Sequence, residues 1–206
     1  HQGLEFVEAC RLAHGALGAV AVPLSMLFGA DALAYRLRDS EAALAIVDEG
    51  AIDKLLAARS ECPALQHIVA VGAAAGRGSI DWQACLLGRH PAIAPMATQA
   101  DDPALLIYTS GTTGPAKGAM LSHGNLLSNA RTLKDYWGWV PGDVLIHALP
   151  IFHVHGLFVA IHGALLNGSK MLWFEKFDPR ATIRALARAT VFMGVPTLYV
   201  RMLAER

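Results

Sequence analysis

The sequence predicts an α/β fold with mainly parallel sheets flanked by helices. Three observations carry that expectation. Short apolar, β-branched runs recur along the 206 residues, and stretches with helical spacing lie between them. Hydrophobic residues make up 54% and charged residues 17%, a composition that builds cores and argues against disorder. The chain also shows no internal repeat, so strand–helix alternation rather than stacking of identical units must organise it.

In chain order, "HQGLEFVEACRLAHGAL" places Phe6, Ala9, Cys10, Ala13 and Leu17 at helical spacing. The helix is already under way at His1, so the sequence reads as cut from a longer protein. Gly18 to Pro23 and Ala43 to Val47 read as strands. Between them, Asp31 to Asp39 reads as a helix with Asp31 as N-cap and Leu33 and Leu37 on one face. Ile52, Leu55 and Leu56 mark the next helix, and His67 to Val71 the next strand. "GAAAGRG", Gly72 to Gly78, is a small-residue surface loop without G-x-G-x-x-G spacing. Arg89 to Asp102 carries Pro91 and Pro95, with Pro103 just beyond, and reads as a linker. It divides the chain into a first α/β subdomain, residues 1–95, and a second α/β portion, residues 96–206. The second portion adds strands at Ala104 to Thr109, Val144 to Leu149, Lys170 to Phe174 and Thr190 to Gly194. Asp178-Pro179 is an N-cap followed by an N1 proline, opening a helix expected to bury Ile183, Leu186 and Ala187.

The bulk numbers exclude several classes. Lys+Arg and Asp+Glu both number 17, so no basic field exists for nucleic acid or an anionic membrane. Ala16 to Ala30 is apolar, but acidic Glu5 and Glu8 precede it, which is wrong for a signal peptide. Val144 to Ser169 lacks Asp, Glu, Lys and Arg, yet its histidines, Pro150 and Asn167 need polar partners. It reads as a buried strand, loop and helix rather than a transmembrane span. Cys10, Cys62 and Cys85 are dispersed and odd in number, so a reducing cytoplasm is the default and inert buried thiols the plain reading.

The stretch "LLIYTSGTTGPAKGAMLSH", residues 105–123, concentrates the chemistry. Thr109, Ser110, Thr112 and Thr113 supply four hydroxyls within five residues, and Gly111 and Gly114 let the main chain approach a polyphosphate. Lys117 supplies a point charge for a β or γ phosphate. A Walker A loop needs glycine before the lysine and serine or threonine after it; Ala116 and Gly118 stand there instead. The apolar run "GAMLS" follows Lys117, and a helix begins only near Ser122, so the loop is expected to join two strands of a hairpin. The plain alternative is a polar hairpin turn with no ligand.

"YTSGTTGPAKG" resembles the phosphate-loop signature of the adenylate-forming acyl-CoA synthetases, with Ala116 in place of their usual proline. "GAVAVPLSMLFGADALAYRLRDSEAALAIVDE" is similar to the family's segment before the loop. "LSHGNLLSNA" is similar to its continuation, and "ALPIFHVHGLF" to the next core motif. The resemblance covers nearly the whole chain. It implies part of the large N-terminal domain of these enzymes, and an acid–CoA ligase as the parent. Such a ligase joins a carboxylate to the α-phosphate of ATP with Mg2+, releases pyrophosphate, and passes the acyl group to coenzyme A. On that resemblance Thr109 to Lys117 hold the β and γ phosphates, Thr109 also helping to ligate Mg2+. His153, after Phe152, lies at the carboxylate end of the acyl pocket and is, with Lys117, a catalytic candidate.

His155 reaches the same space if the chain there is extended, because residues i and i+2 share a face. A metal-binding His-x-His pair and a satisfied core histidine are the other readings of "FHVHG". "MGVPTLYVRML" together with "LPIFHVHGLF" resembles malonyl-CoA synthetases. That resemblance makes Arg201 the partner of the distal carboxylate of malonate or methylmalonate. The alternative for Arg201 is a solvated helix arginine beside Glu205 and Arg206; for the substrate, a fatty or aromatic acid.

Relative to the family, the sequence stops before the aromatic-Gly-x-Thr-Glu and Thr-Gly-Asp motifs and before the small C-terminal domain. The isolated chain is therefore expected to be inactive, with a cut edge that favours self-association. A rival of another class is a noncatalytic binding or assembly fragment that keeps the loop as a relic.

Overall fold

In the computed structural model, residues 17–87, 94–109 and 115–205 are described. The elements alternate as expected. Helix α1 is Ala30–Asp39, strand β1 Leu44–Val47, α2 Ile52–Ala58, β2 His67–Ala70, β3 Ile80–Asp81 and α3 Trp82–Leu87. There follow β4 Pro103–Tyr108, β5 Gly118–Ser122, α4 His123–Trp137 and β6 Val144–His147. A π-helical segment, His155–Ile161, runs into α5, His162–Asn167. The remaining elements are β7 Lys170–Trp173, α6 Pro179–Leu186, β8 Val191–Phe192 and α7 Pro196–Leu203.

The described residues fall into two compact units. The first comprises residues 17–98 and 102–121. Its sheet has the order β1-β2-β3, parallel throughout, with Leu44 opposite His67 and Val69 opposite Ile80. Leu33, Ala34 and Leu37 of α1 and Ile52, Leu55 and Ala58 of α2 cover this sheet and bury themselves against Val47, Ile68 and Ala70. Strands β4 and β5 form a separate two-stranded sheet. The second unit comprises residues 99–101 and 122–205. Its sheet has the order β7-β6-β8, again parallel. Leu145 and Leu149 pack there with Trp139, Ala160 and Ala164.

Local chemistry explains the boundaries. α1 ends in a Schellman motif: the Ala42 N–H donates to Leu37 C=O and the Glu41 N–H to Arg38 C=O, at 3.1 and 3.2 Å. Glu41 therefore sits at φ 49°, the left-handed conformation that glycine usually fills. In "GAAAGRG", Gly72, Gly76 and Gly78 have φ of 65°, 81° and 75°, which explains the glycines without any ligand. α4 starts at a capping box, Ser122 Oγ accepting the Asn125 N–H while Asn125 Oδ1 accepts the Ser122 N–H.

Several expectations are corrected. Gly18 to Pro23 is not a strand; only Ala21 bridges to Leu105, through two backbone hydrogen bonds. The N-cap of α1 is Gly29, and Asp31 lies inside the first turn, where its charge still faces the helix's positive end. Asp178 does cap α6, accepting the Ala181 N–H, but Ile183, Leu186 and Ala187 are exposed and Thr182 is the buried residue. Its hydroxyl donates to Asp178 C=O at 2.7 Å, which lets a polar group take the core position. Strand β3 and helix α3 were missed, since Ile80–Asp81 is too short to leave a period-two signal. The expected helix over residues 1–17 lies almost wholly outside the described residues, as does part of the expected linker.

Candidate active site

The phosphate-loop candidates divide at the limits of the described residues. Ser110, Gly111, Thr112, Thr113 and Gly114 lie outside them; Thr109 and Lys117 lie inside. β4 and β5 are hydrogen-bonded neighbours, and residues 109–117 between them are too few for a parallel crossover, so the two strands form a hairpin. The Thr109 N–H donates to Lys117 C=O at 2.9 Å, with Thr109 Oγ1 at 3.3 Å from the same oxygen. Lys117 is exposed and, among the described residues, forms no ion pair, so its ammonium is available to an anion. The chain continues from Lys117 directly into a strand, which excludes the loop-to-helix geometry of a Walker site.

Tyr108, the last residue of β4, is tied to α1. Its hydroxyl donates a hydrogen bond to Asp39 Oδ2 at 2.6 Å and lies 3.2 Å from Arg36 C=O. Burial first, and then the Asp39 carboxylate, push the Tyr108 phenol above its ordinary pKa, so it remains a donor.

The histidine and arginine candidates all belong to the second unit. The chain leaves the carboxyl end of β6, the end at which parallel α/β sheets usually bind ligands, and turns at residues 151–153. His153 is exposed there, its ring 4.6 Å from that of Phe152. His155 begins the π-helical segment and is half-buried. The chain is turned, then helical, so the condition for His153 and His155 sharing a face of an extended strand is not met. The turn is tight: a Cβ on Gly156 would lie 2.3 Å from the Pro150 carbonyl oxygen.

Arg201 projects from α7, exposed, with its guanidinium 5.0 Å from the centre of the Phe177 ring. Glu205 pairs with Arg180 rather than with Arg201. Among the described residues, no hydrogen bond or ion pair joins Arg201 to either histidine.

From the sequence, His147 had no role of its own. His147, at the end of β6, is 1% exposed, packs 4.5 Å from the Trp173 ring, and has no hydrogen-bond partner for either ring nitrogen among the described residues. Burial, reinforced by the charge of nearby His155, lowers its pKa from 6.5 to about 4. Its signal was a histidine ending the apolar run "VLIH".

Among the described residues, no group of three or more His, Cys, Asp or Glu side chains could hold a metal ion, so the His-x-His pair lacks further ligands. No helix among them is long and apolar enough to cross a membrane. Cys62 is buried with its thiol pushed up by burial, Cys85 is only half-buried, and Cys10 lies outside the described residues. A groove of about 310 Å3 lined by Arg59, His67 and Ile80 lies at the amino ends of β2 and β3 and includes none of the candidates.

The chain thus combines an α/β fold, a hydroxyl-rich stretch between two hairpin strands, an exposed lysine without an ion pair among the described residues, and a histidine in the turn after a parallel strand. The chain belongs to the AMP-binding enzyme family, whose model matches residues 1–206. It is 30% identical over 198 residues to a malonate–CoA ligase of Arabidopsis thaliana, covering 90% of this chain and 32% of the relative. It is 34% identical over 211 residues to a feruloyl-CoA synthase of an Amycolatopsis species, covering 98% of this chain and 38% of the relative. Among solved structures, ATP-bound MatB from Rhodopseudomonas palustris superposes with a TM-score of 0.81 at 44% identity, covering 96% of this chain and 39% of that one. The chain thus spans between about a third and two fifths of the length of these relatives.

Proposed function

We propose that this chain carries the phosphate loop and part of the acyl pocket of an AMP-forming acid–CoA ligase acting on malonate or methylmalonate. The observation that carries the reading is Lys117, an exposed ammonium with no ion pair among the described residues, at the tied base of a hydroxyl-rich segment. The relatives that act on malonate, and a neighbour solved with ATP bound, support it.

The reaction joins two anions. A carboxylate oxygen attacks the α-phosphorus of ATP, the bond to the bridging oxygen breaks, and pyrophosphate leaves. The thiolate of coenzyme A then attacks the acyl carbon and AMP departs. Lys117 and the loop hydroxyls neutralise the β and γ phosphates and hold them in line, which is the positioning such a displacement needs. Thr109 is the described hydroxyl that would help hold Mg2+, which when bound would supply charge neutralisation at the phosphates.

Arg201 takes the distal carboxylate. Its guanidinium is held 5.0 Å from the centre of the Phe177 ring by a cation–π contact, and its fork of N–H donors suits a bidentate pair with a carboxylate. His153 takes the reacting-carboxylate end of the pocket. The dispersed cysteines favour a reducing cytoplasmic setting. Exposed Val200 and Leu203 favour self-association of the isolated chain.

Calorimetric titration of this chain with ATP-Mg is the first test. Binding is expected, and Lys117→Ala should weaken it; in the intact enzyme the same variant should lose about 3 kcal/mol of transition-state stabilisation, read as ATP turnover. Wild-type affinity in that variant removes the loop from the reading. In a full-length ligase bearing this segment, Arg201→Ala should lose malonate turnover and keep octanoate turnover. Equal loss of both, or a wild-type preference for octanoate or an aromatic acid, favours the fatty or aromatic acyl-CoA synthetase instead.

A further inference from the structure

Lys117 and Thr109 have exposed side chains, and their backbones are tied to each other at the base of the hairpin. Two phenols also tie this base to α1, which is remote in sequence. The Tyr35 hydroxyl, on α1, donates to Ala116 C=O at 2.9 Å, across 81 residues of sequence. The Ala116 carbonyl and the Lys117 amide share one planar peptide unit, so this bond sets the plane that leads into Lys117. On the other side of the loop, Tyr108 donates to Asp39, the last residue of α1, across 69 residues.

Arg36 adds to the same arrangement. Its guanidinium lies 4.1 Å from the Phe28 ring centre and 5.6 Å from that of Tyr108, while one nitrogen donates to Ala32 C=O. The Tyr35 and Tyr108 rings meet edge to face, 6.4 Å apart at 73°. The Thr109–Lys117 backbone bond completes a ring of contacts: α1, Tyr108, Thr109, Lys117, Ala116, Tyr35 and back to α1.

We propose that α1 is a positioning element for the phosphate loop, with Tyr35 and Asp39 holding its two ends at fixed separation and orientation. The proposal rests on the reading that residues 109–117 bind phosphate. Tyr35 and Asp39 touch the loop's ends rather than its ligand, so they are positioning residues. A purely structural role predicts loss of stability alone. Positioning predicts weaker phosphate binding and faster opening at the loop base while the rest of the unit stays closed.

The test uses this chain, wild type and Tyr35→Phe, Asp39→Ala, Asp39→Asn and Lys117→Ala. By NMR, Tyr35→Phe should speed amide exchange of Thr109 about 5-fold, as expected for losing one neutral hydrogen bond, and leave Ile68 and Val69 of β2 unchanged. Unchanged Thr109 exchange, or equal acceleration at all three amides, overturns the proposal. By calorimetry, inorganic tripolyphosphate should bind Tyr35→Phe and Asp39→Ala about 5-fold more weakly, with Asp39→Asn restoring affinity because it still offers an acceptor. Wild-type affinity in Tyr35→Phe, alongside lost binding in Lys117→Ala, also overturns it. Undiminished binding by Lys117→Ala, or no binding by wild type, sinks the phosphate reading instead; the exchange arm then decides on its own whether α1 orders the loop ends.

Discussion

Lowering the pH from 7 to 5 should cost this chain about 2 kcal/mol through His147 alone, and about 3 kcal/mol by pH 4. The fold holds this imidazole at a pKa of about 4, against an ordinary value of 6.5, chiefly because the ring is buried and secondly because His155 is near. As pH falls through 6.5, the unfolded chain takes up a proton that the folded chain refuses until about 4. The neutral ring's contribution is thus fully present above pH 6.5 and lost progressively down to about pH 4. Each pH unit within that window is worth about 1.36 kcal/mol, which gives the figures above. The perturbation that isolates the effect is His147→Leu, which removes the titration and keeps an apolar side chain beside Trp173.

Urea midpoints for both proteins at pH 7, 6 and 5 supply the measurement. Carboxylates such as Asp143, held below their usual range by the Val140 N–H and the Thr190 hydroxyl, titrate in both proteins and cancel in the difference. At pH 7 the variant should be as stable as wild type or more so, because two unpartnered ring nitrogens go with the histidine. Parallel stability curves would refute the assignment of a neutral, desolvated His147.

Gly156→Ala should lower stability by about 1–3 kcal/mol or more, read as a fall in Tm, because its Cβ collides with the Pro150 carbonyl rather than with a movable side chain. Asp178→Ala should cost about 1 kcal/mol by urea denaturation, since it removes the acceptor for the Ala181 N–H; Asp178→Asn should restore most of that. Glu41→Gly should stabilise the chain by about 1 kcal/mol, because it relieves a left-handed residue at an exposed helix end. A lower urea midpoint in that variant would show that Glu41 makes a compensating contact.

The sequence made the alternation of strands and helices legible because most elements follow simple physical rules. β1, β2, β4, β6 and β7 are apolar runs, and α4 and α6 begin at side-chain caps. Its errors have a common cause. Ile183 and Leu186 have the spacing of a buried stripe, yet Thr182 takes the buried position because its hydroxyl bonds Asp178 C=O, a satisfaction that no hydropathy pattern records. Gly18 to Pro23 looks like a strand but finds only one pairing residue, Ala21. At the candidate site, Thr109, Lys117, His153 and Arg201 were legible as residue types in motifs. The turn at residues 151–153 that leads His155 into a helix was not, because it depends on Gly156 closing against Pro150. Nor were Tyr35, Asp39 and His147, whose importance comes from partners remote in sequence.

That remoteness has a consequence for how the chain reaches its native state. Leu44 meets His67 across 23 positions, a short loop to close, whereas Tyr35 must find Ala116 across 81. Contacts that far apart form slowly, because the entropy of the intervening chain is lost before the bond is made. On a translating ribosome, Tyr35 emerges long before Ala116 exists, and β1 and β2 can pair while it waits. The ends of the loop are thus assembled only after the first parallel sheet can stand, so destabilising that sheet delays the appearance of a competent loop even when every loop residue is intact.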